Sequence, residues 1–241
     1  MRNARTAWMV RAAAFVGILV LLAGGSGNTS SHPSEARARA SAPIAAVPAS
    51  TVRVPTSDQL EAALLDADDL GPAFAKRPTA TPAPSEGEKD TRFEGCQPLA
   101  GLLNEDGGRS DYPQAAVTFQ SRDGLVAVAE GLAAEPPGVL AADYAKARQA
   151  LESCGSISLV SAGQTIKFSL TPIRFGGSDS SAVRMDATHR GVLINGYIAI
   201  EKLSDSVVVS YVFFQVGGGS SQLASHFYDL AADKARASLG L

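Results

Sequence analysis

Three aspartates lie close together in the segment Asp66–Gly71 (DADDLG), which at first sight resembles a calcium-binding loop. In an EF-hand loop beginning at Asp66, Leu70 would occupy the fifth position and Arg77 the twelfth. A leucine side chain has no ligand atom, and arginine carries the wrong charge where a bidentate glutamate is required. We therefore interpret the cluster as a solvated helix end and predict no metal site there.

A glycine-rich segment, Val216–Ser221, lies between a predicted strand and a predicted helix. Free amides at a helix N-terminus can bind an anion. No lysine follows the glycines, so the segment is not a phosphate-binding loop of the nucleotide-hydrolase type. A plain turn is the favoured interpretation.

Two histidines, His189 and His226, fall in the predicted folded part of the chain, and His32 precedes it. Two separated histidines without a partner motif do not make a zinc site. The chain contains no G-x-S-x-G motif. It therefore lacks the sharp strand-to-helix turn that presents the serine nucleophile in α/β-hydrolases. The sequence does not exclude a Ser–His–Asp arrangement formed by residues that are distant in the chain. We nevertheless predict no catalytic residue, no enzymatic activity and no cofactor.

Composition restricts the partner classes. Hydrophobic residues make up 45% of the 241 residues and charged residues 19%, which predicts a packed core. Without Arg2, Arg5 and Arg11 the chain has 18 basic against 24 acidic residues. Nucleic-acid binding requires a basic patch that displaces counterions, so we expect no nucleic-acid partner.

The N-terminus predicts export. Residues 1–11 are basic, residues 12–23 form an uninterrupted apolar run, and small residues follow, which is typical of a signal peptide cleaved after Gly25. An uncleaved membrane anchor would need roughly 20 apolar residues, and Arg11 shortens this run. Leu22-Ala23-Gly24 resembles a lipoprotein box, but Gly25 stands where the lipidated cysteine would be. We predict residues 1–25 as the signal peptide, an extracytoplasmic or secreted location, and membrane contact only through an uncleaved signal.

The two cysteines, Cys96 and Cys154, are predicted to pair, because an exported protein matures in an oxidising compartment. A loop of 58 residues would be closed, and such a crosslink contributes roughly 4 kcal/mol in the chain-entropy model. A redox-active thiol is the alternative. It requires an activating neighbour, and no C-x-x-C motif is present.

Residues 26–56 are rich in Ala, Ser and Pro and predict a disordered tether, while 57–241 predict one folded domain. Ser57 is the expected cap of a helix whose apolar face runs to Ala67. Gly71 and Pro72 would end this helix, and residues 76–91 read as a surface loop.

Helices are further predicted over 96–104, from the Pro136-Pro137 pair to Cys154, and from Ser220 or Ser221 to the C-terminus. Period-two alternation or continuous apolar runs predict strands, which lie at 114–120, 125–132, 165–171, 183–188, 192–200 and 207–214. The last strand is apolar on both faces and should be central. Consecutive strands joined by short turns predict an α+β domain, an antiparallel sheet of about five to seven strands flanked by helices.

The domain resembles the extracellular sensor domain of mycobacterial H-type (PknH-like) serine/threonine receptor kinases and related secreted proteins and lipoproteins of actinobacteria. The residues that carry the resemblance are Leu64-Leu65 through Asp69-Leu70-Gly71, Gly95-Cys96, Leu151 to Cys154, and the last two strands with the closing helix. It implies an antiparallel sheet flanked by helices, with a cleft for an unidentified ligand. The kinase sensor has two disulfides, whereas this chain can form only one.

These observations lead to an expected role as a non-catalytic extracytoplasmic ligand-binding or sensor-like module. Its partner would be an unknown small molecule or a component of the cell envelope, and a protein partner is possible. The binding residues are not predicted from sequence. Two alternatives remain: a cell-envelope interaction or structural protein, which predicts an exposed apolar patch, and a secreted hydrolase, which predicts a histidine beside a serine and an acid.

Overall fold

The computed structural model describes residues 54–77, 92–104, 111–161 and 163–241. The predicted signal peptide (1–25) and most of the predicted tether (26–56) lie outside these ranges. In chain order the elements are α1 (Ser57–Ala63), α2 (Ala67–Leu70), β1 (Phe74–Lys76), β2 (Arg92–Gly95), α3 (Gln97–Asn104), β3 (Gln114–Ser121), β4 (Val126–Ala134), α4 (Pro137–Ser153), β5 (Ser156–Ser161), β6 (Gln164–Ile173), β7 (Ser180–His189), β8 (Val192–Lys202), β9 (Val207–Val216) and α5 (Ser221–Leu239). No helix in these ranges is long and apolar enough to cross a membrane.

The nine strands of the described ranges form one sheet with the order β1-β3-β4-β9-β8-β7-β6-β5-β2, and every neighbouring pair is antiparallel. The predicted α+β class is confirmed, but the sheet has more strands than the five to seven expected. The strands not predicted are β1, β2 and β5. The first two have three and four residues, too few to show a period, and β5 directly follows a long helix.

The predicted first helix is two helices. Thr56, rather than Ser57, caps α1, and the helix ends at Ala63 instead of continuing to Ala67. The reason lies in Asp66, whose Oδ1 accepts hydrogen bonds from the backbone N–H groups of Asp68 at 2.9 Å and Asp69 at 3.2 Å. A side chain that caps amides in this way starts a new helix, so the chain turns before α2.

Helices cover both faces of the sheet. On the first face α3 and α4 pack over an apolar layer that includes Leu140, Leu151 and Met185, which are fully buried. On the second face α1 and α5 pack over β3, β4, β8 and β9, with Phe213 and Ala231 in the layer between them. The apolar face predicted for α4 is confirmed by its buried residues.

Strand β9 lies inside the sheet between β4 and β8, as its apolar sequence predicts. Val208 and Val212 face the first layer, and Val209 and Tyr211 face the second. A strand buried on both faces needs apolar side chains at successive positions, and this requirement explains the uninterrupted run.

The second face is open over β6 and β7. Phe168 and Leu170 of β6 are buried under α4, while Lys167, Ser169 and Thr171 on the opposite side are exposed. An antiparallel sheet tolerates one solvated face, and alternation of this kind results. Helix α5 therefore stands beside an uncovered polar part of the sheet, and the space along its flank is accessible.

One carboxyl group, that of Glu130 in β4, is buried beneath α1 and α5 at 1% exposure. Its Oε2 accepts a hydrogen bond from the Leu65 backbone N–H at 2.7 Å, while Oε1 has no partner among the described residues. Burial raises the pKa of Glu130 to about 8, against the hydrogen bond from Leu65 and the nearby charge of Lys234, which lower it. The folded protein therefore holds a proton there at neutral pH.

This proton makes stability fall as pH rises, because the folded pKa lies above the unfolded one. Between about pH 5 and about pH 8 the unfolded chain binds fewer protons at Glu130 than the folded protein does. Raising the pH across this range should therefore lower the free energy of unfolding by roughly 3 kcal/mol. Glu130→Gln mimics the protonated form and should remove that slope. Urea titrations of both proteins across this range measure it, and equal pH slopes in the two would contradict the expectation.

Candidate functional site

A cleft of about 480 Å³ opens between the segment that joins β6 to β7 and the exposed flank of α5. We name it the α5 cleft, and its lining residues are Arg174, Phe175, Gly176, Gly177, Glu201, Ser225, Asp229, Ala232, Asp233 and Arg236. This volume lies within the range of about 300–1,000 Å³ in which small-molecule sites are found. The lining combines charged side chains, backbone and a single aromatic ring.

The floor of the α5 cleft is a buried carboxylate. Glu201, at the end of β8, is 2% exposed. Its Oε2 accepts a hydrogen bond from the Tyr228 hydroxyl, and its Oε1 forms an ion pair with the Arg236 guanidinium, both groups coming from α5. A buried charge is tolerated only when it is paired and hydrogen-bonded, and Glu201 meets both conditions. Burial and the bond to Glu201 raise the pKa of Tyr228 far above its usual range.

The wall opposite α5 fits closely against this carboxylate. Gly176 has φ +69°, and a Cβ there would lie 2.6 Å from Glu201 Oε2 and 2.7 Å from the Tyr228 hydroxyl oxygen. A Cβ on Gly177 would lie 2.8 Å from Glu201 Oε1. Neither position has room for a side chain, so the two glycines allow the backbone to approach the Glu201–Tyr228 pair.

The same wall is fixed at both ends. The Ser180 hydroxyl shares its single hydrogen between the carbonyl oxygens of Phe175 and Gly177, and the Tyr144 hydroxyl of α4 donates to the Asp179 carbonyl at 2.6 Å. The Phe175 ring packs against two others, 5.5 Å from Tyr197 and 5.9 Å from Tyr228 between centroids. These contacts tie the 174–179 segment to α4, α5 and the sheet, which favours one position of this cleft wall.

The close approach at Gly176 gives a prediction. Gly176→Ala should lower the free energy of unfolding by about 2 kcal/mol, through backbone strain and through the contact with Glu201 and Tyr228. Gly163→Ala is the matched control, because Gly163 has nearly the same φ, +72°, but open space around its Cβ. Chemical denaturation of both variants separates strain from contact. A cost at Gly176 no larger than that at Gly163 would show that the wall does not press on the carboxylate.

A group of polar side chains lies along β7 and β8, on the same face of the sheet as the α5 cleft. Asp186 Oδ1 accepts hydrogen bonds from Arg184 Nε at 2.8 Å and from Asn195 Nδ2 at 2.5 Å. The Tyr197 hydroxyl is buried and has no hydrogen-bond partner among the described residues. Burial raises the pKa of Tyr197, and the Arg184 charge opposes that shift. Tyr197 therefore stays a neutral donor at physiological pH.

The aspartate cluster, predicted as the solvated end of the first helix, instead begins the separate helix α2. Besides capping α2, Asp66 and Asp69 form ion pairs with Lys234 of α5, at 2.9 Å and 2.6 Å. The hydrogen bond from Lys234 lowers the pKa of Asp66. The cluster therefore ties α2 to α5, on the helix flank turned away from the cleft. Among the described ranges, no group of three or more His, Cys, Asp or Glu side chains could hold a metal ion.

The glycine-rich segment before α5 is a turn. Gly217 and Gly218 have φ of +92° and +99°, and the Ser220 hydroxyl caps the helix by accepting a bond from the Leu223 N–H at 3.4 Å. His189 ends β7 with Nε2 buried and unpartnered in the described structure, and His226 is exposed beside the Phe227 ring. The structure brings neither histidine to a serine and an acid.

The predicted pairing of the cysteines is observed. Cys96, before α3, and Cys154, after α4, form a disulfide with Cα atoms 5.8 Å apart. It connects the two helices that cover the first face of the sheet, opposite the face on which the α5 cleft lies. A disulfide is consistent with an oxidising, extracytoplasmic environment.

No residue of the α5 cleft is predicted from the sequence as a site residue. The available signals are weak: the Gly176-Gly177 pair, and a glutamate at the end of the apolar strand Val192–Lys202. Tyr228 and Arg236 are eight positions apart on α5 and resemble ordinary surface residues of an amphipathic helix. Their pairing with Glu201 depends on how the helix docks.

Comparison with known proteins adds little. No family model matches the chain, and no curated protein matches it. An X-ray structure of an uncharacterised Mycobacterium smegmatis protein aligns with a TM-score of 0.35 and 12% identity, over 69% of this chain and 90% of that one. The lipid transfer and protein localization domain of human StarD13 aligns with a TM-score of 0.26 and 10% identity, over 54% and 89%. Neither similarity is strong enough to support an inference, and the resemblance to PknH-like sensor domains stays a prediction.

Proposed function

We propose that this protein is a non-catalytic extracytoplasmic binding module that holds a small polar ligand in the α5 cleft. The observation that supports it most is the pre-formed cleft, with Glu201 buried in its floor and Gly176 held against that carboxylate. A binding protein gains affinity when its site needs little ordering on association. The contacts that tie the wall between β6 and β7 to Tyr144, Tyr197 and Tyr228 favour such a site.

The proposal includes an extracytoplasmic location for the protein. The predicted signal peptide directs the chain out of the cytoplasm, and the Cys96–Cys154 disulfide is consistent with that destination. The resemblance to PknH-like sensor domains implies a cleft of this kind.

A cleft-filling variant tests the binding site. Ser225 lines the cleft, whereas Gln222 is exposed on α5 and does not. The exported chain, incubated with a small-molecule extract of its host's cell envelope, is examined by native mass spectrometry. We expect a reproducible adduct on the wild type and on Gln222→Trp, and none on Ser225→Trp. Bare protein in all three, or an adduct that survives Ser225→Trp, would contradict binding in this cleft.

The alternative role, a cell-envelope interaction or structural protein, has less support in the described structure. It requires an exposed apolar patch, and three exposed apolar residues, Leu125, Val192 and Leu193, lie at one end of the sheet. Val192 and Leu193 are consecutive in β8, so their side chains point to opposite faces. Exposed apolar surface at this end is therefore divided between the two faces of the sheet, and the polar cleft is the better candidate.

A further inference from the structure

We propose that the α5 cleft selects a zwitterionic ligand, an α-amino acid or short peptide with free termini, whose carboxylate contacts Arg174 and whose ammonium contacts Asp229. This inference rests on the proposed binding function and names its ligand class. It follows from which charges of the cleft are already neutralised within the protein and which are still available.

Five charged side chains line the cleft, and three of them are bound to one another. Arg236 pairs through one terminal nitrogen with Glu201 and through the other with Asp233, at 3.4 Å in the second case. Glu201 uses its second oxygen to accept from Tyr228. This network is structural, because Glu201 and Arg236 neutralise each other and fix α5 to the sheet, while the exposed Asp233 carboxylate contacts the same guanidinium from the solvent side.

Arg174 and Asp229 are the two charged residues left over. Neither forms an ion pair or a hydrogen bond with any side chain in the described ranges, and both are exposed at the cleft. They come from opposite walls, Arg174 directly after β6 and Asp229 from α5. The lining of the cleft therefore includes one cation and one anion, on its two walls, that are unpaired among the described residues.

A ligand with one charge would satisfy one of these residues and be repelled by the other. A simple anion at Arg174 would approach the carboxylate of Asp229, and a simple cation would face the opposite difficulty. A zwitterion complements both charges at once. Arginine suits a carboxylate because its planar guanidinium can donate two parallel hydrogen bonds.

Size and lining agree with this class. A cleft of about 480 Å³ is larger than the carboxylate and ammonium groups of the ligand would fill, and it leaves room for a side chain or a second residue. Phe175 contributes only a small apolar surface to the lining because it is 6% exposed, and the backbone of Gly176 and Gly177 is accessible because neither carries a side chain. An amino acid with a side chain, or a dipeptide, uses all of these surfaces.

The test uses the exported chain labelled with ¹⁵N and a panel of free α-amino acids and dipeptides, each paired with its N-acetylated and C-amidated form. Binding is followed through the amide signals of Gly176 and Gly177. We expect at least one free zwitterion to bind, and each blocked form to bind about fivefold more weakly, which is the effect of losing one exposed ion pair.

Two variants assign the contacts. Arg174→Gln should abolish the preference for a free carboxylate and keep the preference for a free amine, and Asp229→Asn should do the reverse. Blocked forms that bind as well as the zwitterion, preferences unchanged in both variants, or a panel without any binder would overturn the proposal. A cell-envelope adduct lost in Ser225→Trp but lacking one of the two charges would overturn the zwitterion inference alone and leave the binding function standing.

Discussion

Replacing Cys96 and Cys154 together by alanine should lower the free energy of unfolding by about 4 kcal/mol, the largest loss expected from any change discussed for this protein. The disulfide closes a loop of 58 residues and joins α3 to α4 over the first face of the sheet. Without it the unfolded chain regains the conformations that the crosslink forbids. Urea denaturation of the oxidised wild type and the double variant measures the difference.

Reduction provides the control for this prediction. The wild type in a strong reductant should lose nearly as much stability as the Cys96→Ala, Cys154→Ala variant, and the reductant should leave that variant unchanged. Because the disulfide and the α5 cleft lie on opposite faces of the sheet, ligand binding by the folded variant should match that of the wild type. A loss below about 1 kcal/mol would contradict the chain-entropy account of this crosslink.

The second large effect is expected at the floor of the cleft. Glu201→Gln should lower the free energy of unfolding by about 3 kcal/mol, because Arg236 loses the carboxylate that neutralises it in a partly buried position. Asp233→Asn is the matched control. Its carboxylate contacts the same guanidinium at 3.4 Å but is 81% exposed, so its loss should change stability by less than about 0.5 kcal/mol.

These two variants also separate structure from recognition. Glu201→Gln should lower ligand affinity, because the carboxylate holds Arg236 and packs against Gly176 and Gly177. Equal small effects of Glu201→Gln and Asp233→Asn on stability would mean that the buried carboxylate does not anchor α5, and the pre-formed cleft would lose its main support.

The sequence predicts most of the fold because its long elements are strongly periodic. The amphipathic face of α4 and the apolar run of β9 match the structure closely. Strands β1 and β2 are missed because three or four residues at a sheet edge do not establish a period. The break between α1 and α2 is missed because the hydrophobic spacing continues through it, and only the Asp66 cap reveals the turn.

The candidate site is harder to predict for a physical reason. Glu201, Tyr228 and Arg236 meet only when α5 docks on β8, and each alone has an ordinary place in its strand or helix. Arg174 and Asp229 are notable only because the other charges nearby are paired. Such complementarity is a property of the tertiary structure, whereas the disulfide follows from counting two cysteines in an exported chain.

A crystal structure of the protein isolated from its own host tests the binding account most directly. The account predicts electron density for one small molecule in the α5 cleft, with a carboxylate against Arg174, an ammonium group against Asp229, and the Glu201–Tyr228–Arg236 network intact below it. A cleft that contains only solvent, or a bound molecule held elsewhere on the domain, would contradict it.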